Sequence, residues 1–159
     1  MKIINNSLLD ELSEKAVDSP RKRAHFNLHP NLDDKIHRLC IAIEPGSYIR
    51  PHRHYNPAKW ELMTLLRGSI TVLTFDDNGI VTNRQVLCSG QSLSIEIESD
   101  VWHTFIANDS KSALLEIKRG PYSRPIDSDF AAWAPDEGDA KVTQFLEWFN
   151  VANVGDKIH

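Results

Sequence analysis

Gly46, Ser47, Tyr48, Ile49, Arg50, Pro51, His52, Arg53 and His54 form the stretch on which the reading of this chain turns. Side chains alternate faces along an extended segment, so His52 and His54, at i and i+2, project the same way and lie close enough for one ion to bridge them. Glu61 follows on the next segment, and His103, after Trp102, comes from a distant one. The predicted metal set is therefore His52, His54, Glu61 and His103. Three imidazoles and a carboxylate suit Fe(II), Mn, Ni, Zn or Cu better than Ca or Mg. Four protein ligands on an octahedral ion leave two positions for a substrate or O2. Glu61 has a competing reading, as the outward residue of an apolar strand or as a group that orients His52 or His54. Single histidines such as His37 and His159 read as ordinary core or surface residues.

Outward from this stretch the chain alternates with period two. Ala24, Phe26 and Leu28 oppose Arg23, His25, Asn27 and His29, which gives one apolar and one polar face. Strand-like segments follow at 38–43, 60–66, 69–75, 80–87, 92–97, 103–107 and 113–118. Turn signals separate them: Glu44, Pro45 and Gly46; Arg67 and Gly68; Asp76, Asp77, Asn78 and Gly79; Ser89 and Gly90. Many short strands with regular turns predict a mainly β sandwich or jelly roll. Helical spacing is confined to the ends. Ser7 reads as an N-cap for a helix over 8–16, with Leu8, Leu9, Leu12 and Ala16 on one side. Residues 119–138, rich in Pro, Asp and Ala, read as a wrap anchored by Phe130 and Trp133. Asp139 then caps a helix that runs to about Asn150, whose Val142, Phe145, Leu146, Trp148 and Phe149 must be buried. Docking on its own barrel is the leading reading, and a homodimer contact is the alternative.

At 159 residues the chain suits a single domain, with residues 1–20 as helix and linker, 21–118 as barrel and 119–159 as wrap and helix. Eighteen basic and 22 acidic residues give a net charge of -4 without a long basic run, which argues against nucleic acid. No stretch approaches the length of a membrane span, and the start lacks a secretory pattern, so a cytoplasmic location is expected. Cys40 and Cys88, each within strand-like sequence, read as two buried thiols and not as a disulfide framework.

The motif spacing resembles a known superfamily. Gly46, His52, His54, Glu61 and Gly68 are similar to the first sequence motif of the cupins, and Gly90, His103 and Asn108 to the second. Six residues separate His54 from Glu61, more than that pattern usually has. A closer resemblance, to the WbuC family of cupin-fold metalloproteins, runs along nearly the whole chain. Its blocks are Ser19-Pro20-Arg21-Lys22-Arg23-Ala24-His25, Asn27-Leu28-His29-Pro30, Arg50-Pro51-His52-Arg53-His54, Lys59-Trp60-Glu61, Leu66-Arg67-Gly68, Trp102-His103-Thr104, Leu115-Glu116, Gly120-Pro121-Tyr122, Asp129-Phe130 and Trp133-Ala134-Pro135. The resemblance implies a cupin-type double-stranded β-helix, that is a jelly-roll barrel, with short terminal helices and one divalent transition metal (Fe, Zn, Mn or Ni). It also implies a place among O-antigen and surface-polysaccharide functions, without implying a particular reaction.

The residues add a candidate ligand wall. If the polar side of the first strand faces the barrel mouth, Arg23, His25, Asn27 and His29 present a cation, two imidazoles and an amide to a small anionic or carbohydrate ligand. Arg50, Lys59 and Trp102 complete the expected substrate-binding set. Tyr48, Tyr55 and Trp60 are further aromatic faces for a sugar ring. His25, His29 and Tyr122 are candidate acid or base groups. Two functions stay open: a metal-dependent isomerase, epimerase or Fe(II) dioxygenase, and a non-catalytic, metal-dependent sugar or sugar-nucleotide binding module. A positioned base of shifted pKa beside the ion would separate them.

Overall fold

The structure, a computed structural model, describes residues 1–158, so His159 lies outside it. Eight antiparallel strands form two sheets. In chain order the elements are α1 (Asn6–Asp18), β1 (Arg23–Asn27), β2 (Ile36–Ile43), β3 (Glu61–Arg67), β4 (Ser69–Phe75), β5 (Val81–Cys88), β6 (Ser94–Ile97), β7 (Trp102–Ala107), β8 (Ser112–Arg119) and α2 (Val142–Val151). One sheet has the order β1-β2-β8-β3-β6, the other β5-β4-β7.

The two sheets enclose an inner core of Ile43, Met63, Ile70, Val72, Leu87, Ile97, Phe105 and Leu114. Each sheet is also covered on its outer face. Helix α1 lays Leu12 and Ala16 on Cys40 and Ala42, and it meets Ala24, Leu28 and Leu115 behind the five-stranded sheet. The wrap and α2 cover the other sheet, where Leu73, Phe75, Val81 and Ile106 meet Tyr48, Ala131, Phe145 and Phe149. This double coverage explains why β4 and β7 are buried along almost their whole length: both of their faces are covered. The apolar side of β1 faces α1, although Phe26 stays exposed.

Both helices begin elsewhere than the sequence indicates. The N-cap of α1 is Asn5, whose Oδ1 accepts the Leu8 N–H at 3.0 Å, and Ser7 already lies within the helix. Asp139 shapes the turn before α2, accepting the Lys141 N–H at 2.8 Å, and the helix starts at Val142. Cys40 is fully buried but Cys88 only partly, and both are free thiols. Among the described residues no helix is long and apolar enough to cross a membrane.

The C-terminus of α2 is closed by a side chain of the barrel. Arg84 on β5 donates to the carbonyls of Phe149 and Asn150 at 2.9 Å and of Ala152 at 3.0 Å. These carbonyls have no partner within the helix, and a cation there complements the helix dipole. Arg84→Ala is expected to lower unfolding stability by about 1.5–3 kcal/mol, the range for hydrogen bonds to a charged donor. Urea denaturation checks it; an unchanged midpoint would mean that water replaces the guanidinium.

Candidate metal centre

The local fold brings the predicted ligands together by strand pairing. Gly46 turns the chain with φ +84, a left-handed conformation that suits glycine. The segment then runs along the edge of β7, where His52 donates its backbone N–H to the His103 carbonyl at 3.1 Å and accepts the His103 N–H at 2.9 Å. His52 and His103 are therefore cross-strand neighbours. His54 follows on the same side, and Glu61, the first residue of β3, reaches in from the opposite sheet. One ligating atom from each of the four lies within 4.8 Å of the others, and Glu61 and His103 are buried.

Their hydrogen bonds leave the ion-facing atoms free. His52 Nδ1 sits 3.0 Å from the Arg50 carbonyl and His103 Nδ1 2.8 Å from that of Val101. A ring N–H donated to a carbonyl puts the lone pair on Nε2, the arrangement a metal-ligating histidine needs. His54 Nε2 lies 2.9 Å from Glu61 Oε1 and His103 Nε2 3.2 Å from Oε2. Yet His54 Nε2, His103 Nε2 and Glu61 Oε2 are all buried without a hydrogen bond of acceptable direction. Each such atom costs roughly 1–3 kcal/mol if left unsatisfied, so their convergence fits a transition-metal ion.

Two charged residues of β8 complete the centre. Glu116 and Lys118 point inward beside Leu114, and Lys118 Nζ donates to Glu61 Oε1 at 2.9 Å while lying 2.7 Å from Glu116 Oε1. Burial alone would raise the Glu61 carboxyl, but Lys118 and the neighbouring imidazoles outweigh it and hold Glu61 well below the usual carboxylate range. Burial pushes the Glu116 carboxyl up, against the pull of Lys118. For Lys118, burial works to lower the ammonium pKa, and Glu116 and Glu61 more than offset it, leaving it raised. Burial also drives His52 well below its ordinary value, with His103 adding to the effect, which suits an imidazole acting as a neutral ligand. The sequence reading assigned Glu116 no role. The signal was there, two charged residues at i and i+2 directly after the apolar run Ala113, Leu114 and Leu115.

A cavity of about 340 Å3 opens on this centre. His52, Glu61, Glu116 and Lys118 line one part, and Arg23, His25, Asn27, His29, His37 and Tyr122 line others. The polar side of β1 thus faces the cavity. His37, taken from sequence as an ordinary core or surface residue, is instead part of the wall. Four members of the expected substrate-binding set are otherwise engaged. The Arg23 guanidinium, though it lines the cavity, is paired with Glu137 and donates to the Tyr48 carbonyl at 2.8 Å. Arg50 is outside the cavity, paired with Asp136 and bonded to the Ala131 carbonyl at 3.0 Å, where it fastens the wrap. Trp102 is core, its Nε1 bonded to Asp77 at 2.9 Å and its face covered by Arg53. Lys59 lines a smaller side cavity of about 70 Å3 with His54 and Tyr122, and its Nζ donates to the Pro121 carbonyl at 2.7 Å. Tyr48 is likewise core, while Tyr55 and Trp60 are partly exposed outside the main cavity.

Residues 4–87, just over half of the chain, match the family model described as Domain of unknown function (DUF6016). The chain belongs to the DUF6016 family. No curated protein matches this DUF6016 chain. Solved structures do. KdgF from Halomonas sp. superposes with a TM-score of 0.51 at 13% identity, covering 66% of this chain and 84% of that one. A cupin 2 domain-containing protein from Halorhodospira halophila gives 0.52 at 18% identity, covering 84% and 85%. TT1209 from Thermus thermophilus gives 0.53 at 16% identity, covering 75% and 97%. At these identities the likeness is one of fold, and the DUF6016 chain is a cupin-type jelly-roll β-barrel with a candidate metal site inside it.

Proposed function

We propose that this chain is a metal-dependent enzyme acting on a small sugar-type or anionic metabolite, with proton-transfer chemistry of the isomerase or epimerase kind. The observation that carries this reading is that Glu116 and Lys118 line the same cavity as the metal ligands His52 and Glu61. An acid-base group beside the ion is what separates an enzyme from a passive binding module.

His52, His54, Glu61 and His103 would hold the ion, which when bound supplies Lewis-acid polarisation of a carbonyl or hydroxyl. Glu116 takes the proton from the carbon or hydroxyl next to that group and returns it, and its buried carboxyl is tuned upward toward that task. Lys118 keeps Glu61 ionised and holds Glu116 in place. The surrounding Met63, Phe105 and Leu114 keep bulk water from this end of the cavity. His25, His29 and Tyr122 line the cavity too, as alternative acid or base groups. The WbuC resemblance supports a setting in surface-polysaccharide metabolism in the cytoplasm. An Fe(II) dioxygenase would use the same ligands.

The test uses the full chain purified without added metal or chelator. Elemental analysis gives the ion, and NMR in D2O follows deuterium entry at carbons next to carbonyls across a panel of aldoses, ketoses and sugar acids. Glu116→Gln is expected to retain its metal and to slow exchange by about 100-fold or more, within the range for general acid-base catalysis. Exchange unchanged in the variant would remove Glu116 from the chemistry. Saturable sugar binding without exchange on any substrate would leave a metal-dependent binding module.

A further inference from the structure

The wall away from the ion contains a buried donor with nothing to bind. His29 is 5% exposed and lines the cavity, and its Nε2 has no hydrogen-bond partner. Its Nδ1 lies 3.1 Å from the Arg38 backbone nitrogen, whose N–H is a fixed donor, so Nδ1 accepts. The Arg38 carbonyl, 3.0 Å from the same atom, already takes the Leu28 N–H at 2.8 Å. A ring that accepts at Nδ1 carries its proton on Nε2.

The ring is held rigidly. It stacks on His37 with centroids 4.1 Å apart and planes 9° from parallel. His37 is itself fixed by its Nε2 at 2.9 Å from the Leu32 carbonyl, and Gly120 packs so closely that a Cβ there would come within 2.8 Å of the His37 ring. His37 is the register partner of Lys118, which in turn pairs with Glu61. His29 and the metal ligand Glu61 therefore stand at opposite ends of a row crossing β2, β8 and β3. At about 4.8 Å per strand, the two steps from β2 to β3 alone set the ends roughly 10 Å apart, so a ligand that touches both must be elongated.

The charges along this row decide what the far end accepts. The cations Arg21 and Arg23 at the mouth are both paired with Glu137, and Lys118 faces two carboxylates. No free cation remains here among the described residues that line the cavity. What remains on this wall is Asn27, His25 and Tyr122, with Leu39 and Ile41 on the neighbouring strand as an apolar strip. We infer that His29, with Asn27 beside it, is a specificity-determining subsite for the uncharged, polyhydroxylated end of a carbohydrate whose other end reaches the metal centre. Its Nε2–H donates to a sugar hydroxyl oxygen, and the apolar strip takes the C–H face of the chain. A phosphoryl group is rejected, because it would be desolvated without a counter-charge. The inference deepens the sugar reading above and rests on the cavity being the ligand site.

The experiment is imidazole 1H–15N NMR on the uniformly 15N-labelled full chain. In the unliganded protein His29 is expected to show the Nε2–H tautomer. On titration with a panel of neutral hexoses and hexitols, at least one should shift the His29 ring saturably, while inorganic phosphate at the same concentration should not. His29→Phe keeps a ring on His37 but has no N–H, and should weaken that sugar by about 10-fold or more with metal content unchanged. Because the variant also deprives the Arg38 N–H of its acceptor, the wild-type titration decides alone if it fails to fold. An Nδ1–H tautomer, a response to phosphate in place of the sugars, or no response to either would overturn the subsite. Absence of metal with an intact sugar response would sink the enzyme reading and leave the subsite standing.

Discussion

Replacing His52 and His54 together by alanine should abolish stoichiometric metal binding and leave a folded, β-rich protein. Both side chains sit on the short edge segment beside β7 and contribute two of the four converging ligand atoms. The remaining Glu61 and His103 cannot fill a transition-metal shell, so affinity should fall by well over the roughly 10–100-fold seen when only a supporting residue is lost. The fold should survive, because neither side chain belongs to the three apolar clusters. The backbone pairing of His52 with His103 also does not depend on the side chain. Elemental analysis with far-UV circular dichroism reads both halves of the prediction. Full metal content in the double variant would refute the site.

Phe149→Ala should cost about 3–5 kcal/mol, the range for truncating a buried aromatic residue. Phe149 is 1% exposed, with ring centroids 5.5 Å from Trp148, 5.9 Å from Phe145, 6.0 Å from Phe75 and 6.1 Å from Tyr48. It is the residue through which α2 docks on the three-stranded sheet of its own chain. Thermal and urea unfolding across a range of protein concentrations would test this. A large loss independent of concentration supports docking on the same chain; a loss that disappears on dilution would mean that the helix serves a partner copy.

Much of this architecture was legible in the residues because strand periodicity is local. The alternation around Arg23, His25, Asn27 and His29 put those side chains on one face, and that face does line the cavity. His52 and His54 were legible because i, i+2 spacing on extended chain has one geometric meaning. Helix starts were less so. Ser7 and Asn5 are both good cap residues, and only the hydrogen bond to Leu8 selects between them. The roles of Arg23 and Arg50 were misleading for a different reason. An arginine in a motif looks free on paper, but Glu137 and Asp136, more than 80 residues downstream, fold back to neutralise the pair.

By itself, the sequence determined the mainly β character, the terminal helices and the same-face pair His52 and His54, all of which follow from spacing within a few residues. Tertiary structure alone decided that Glu61 faces the histidines, that Glu116 and Lys118 stand beside them, and that Trp102 is core. It also decided that His29 stacks on His37 with a donor left unpartnered. These facts depend on which strands become neighbours in the order β1-β2-β8-β3, and strand order is set by long-range packing of apolar faces that no local pattern encodes.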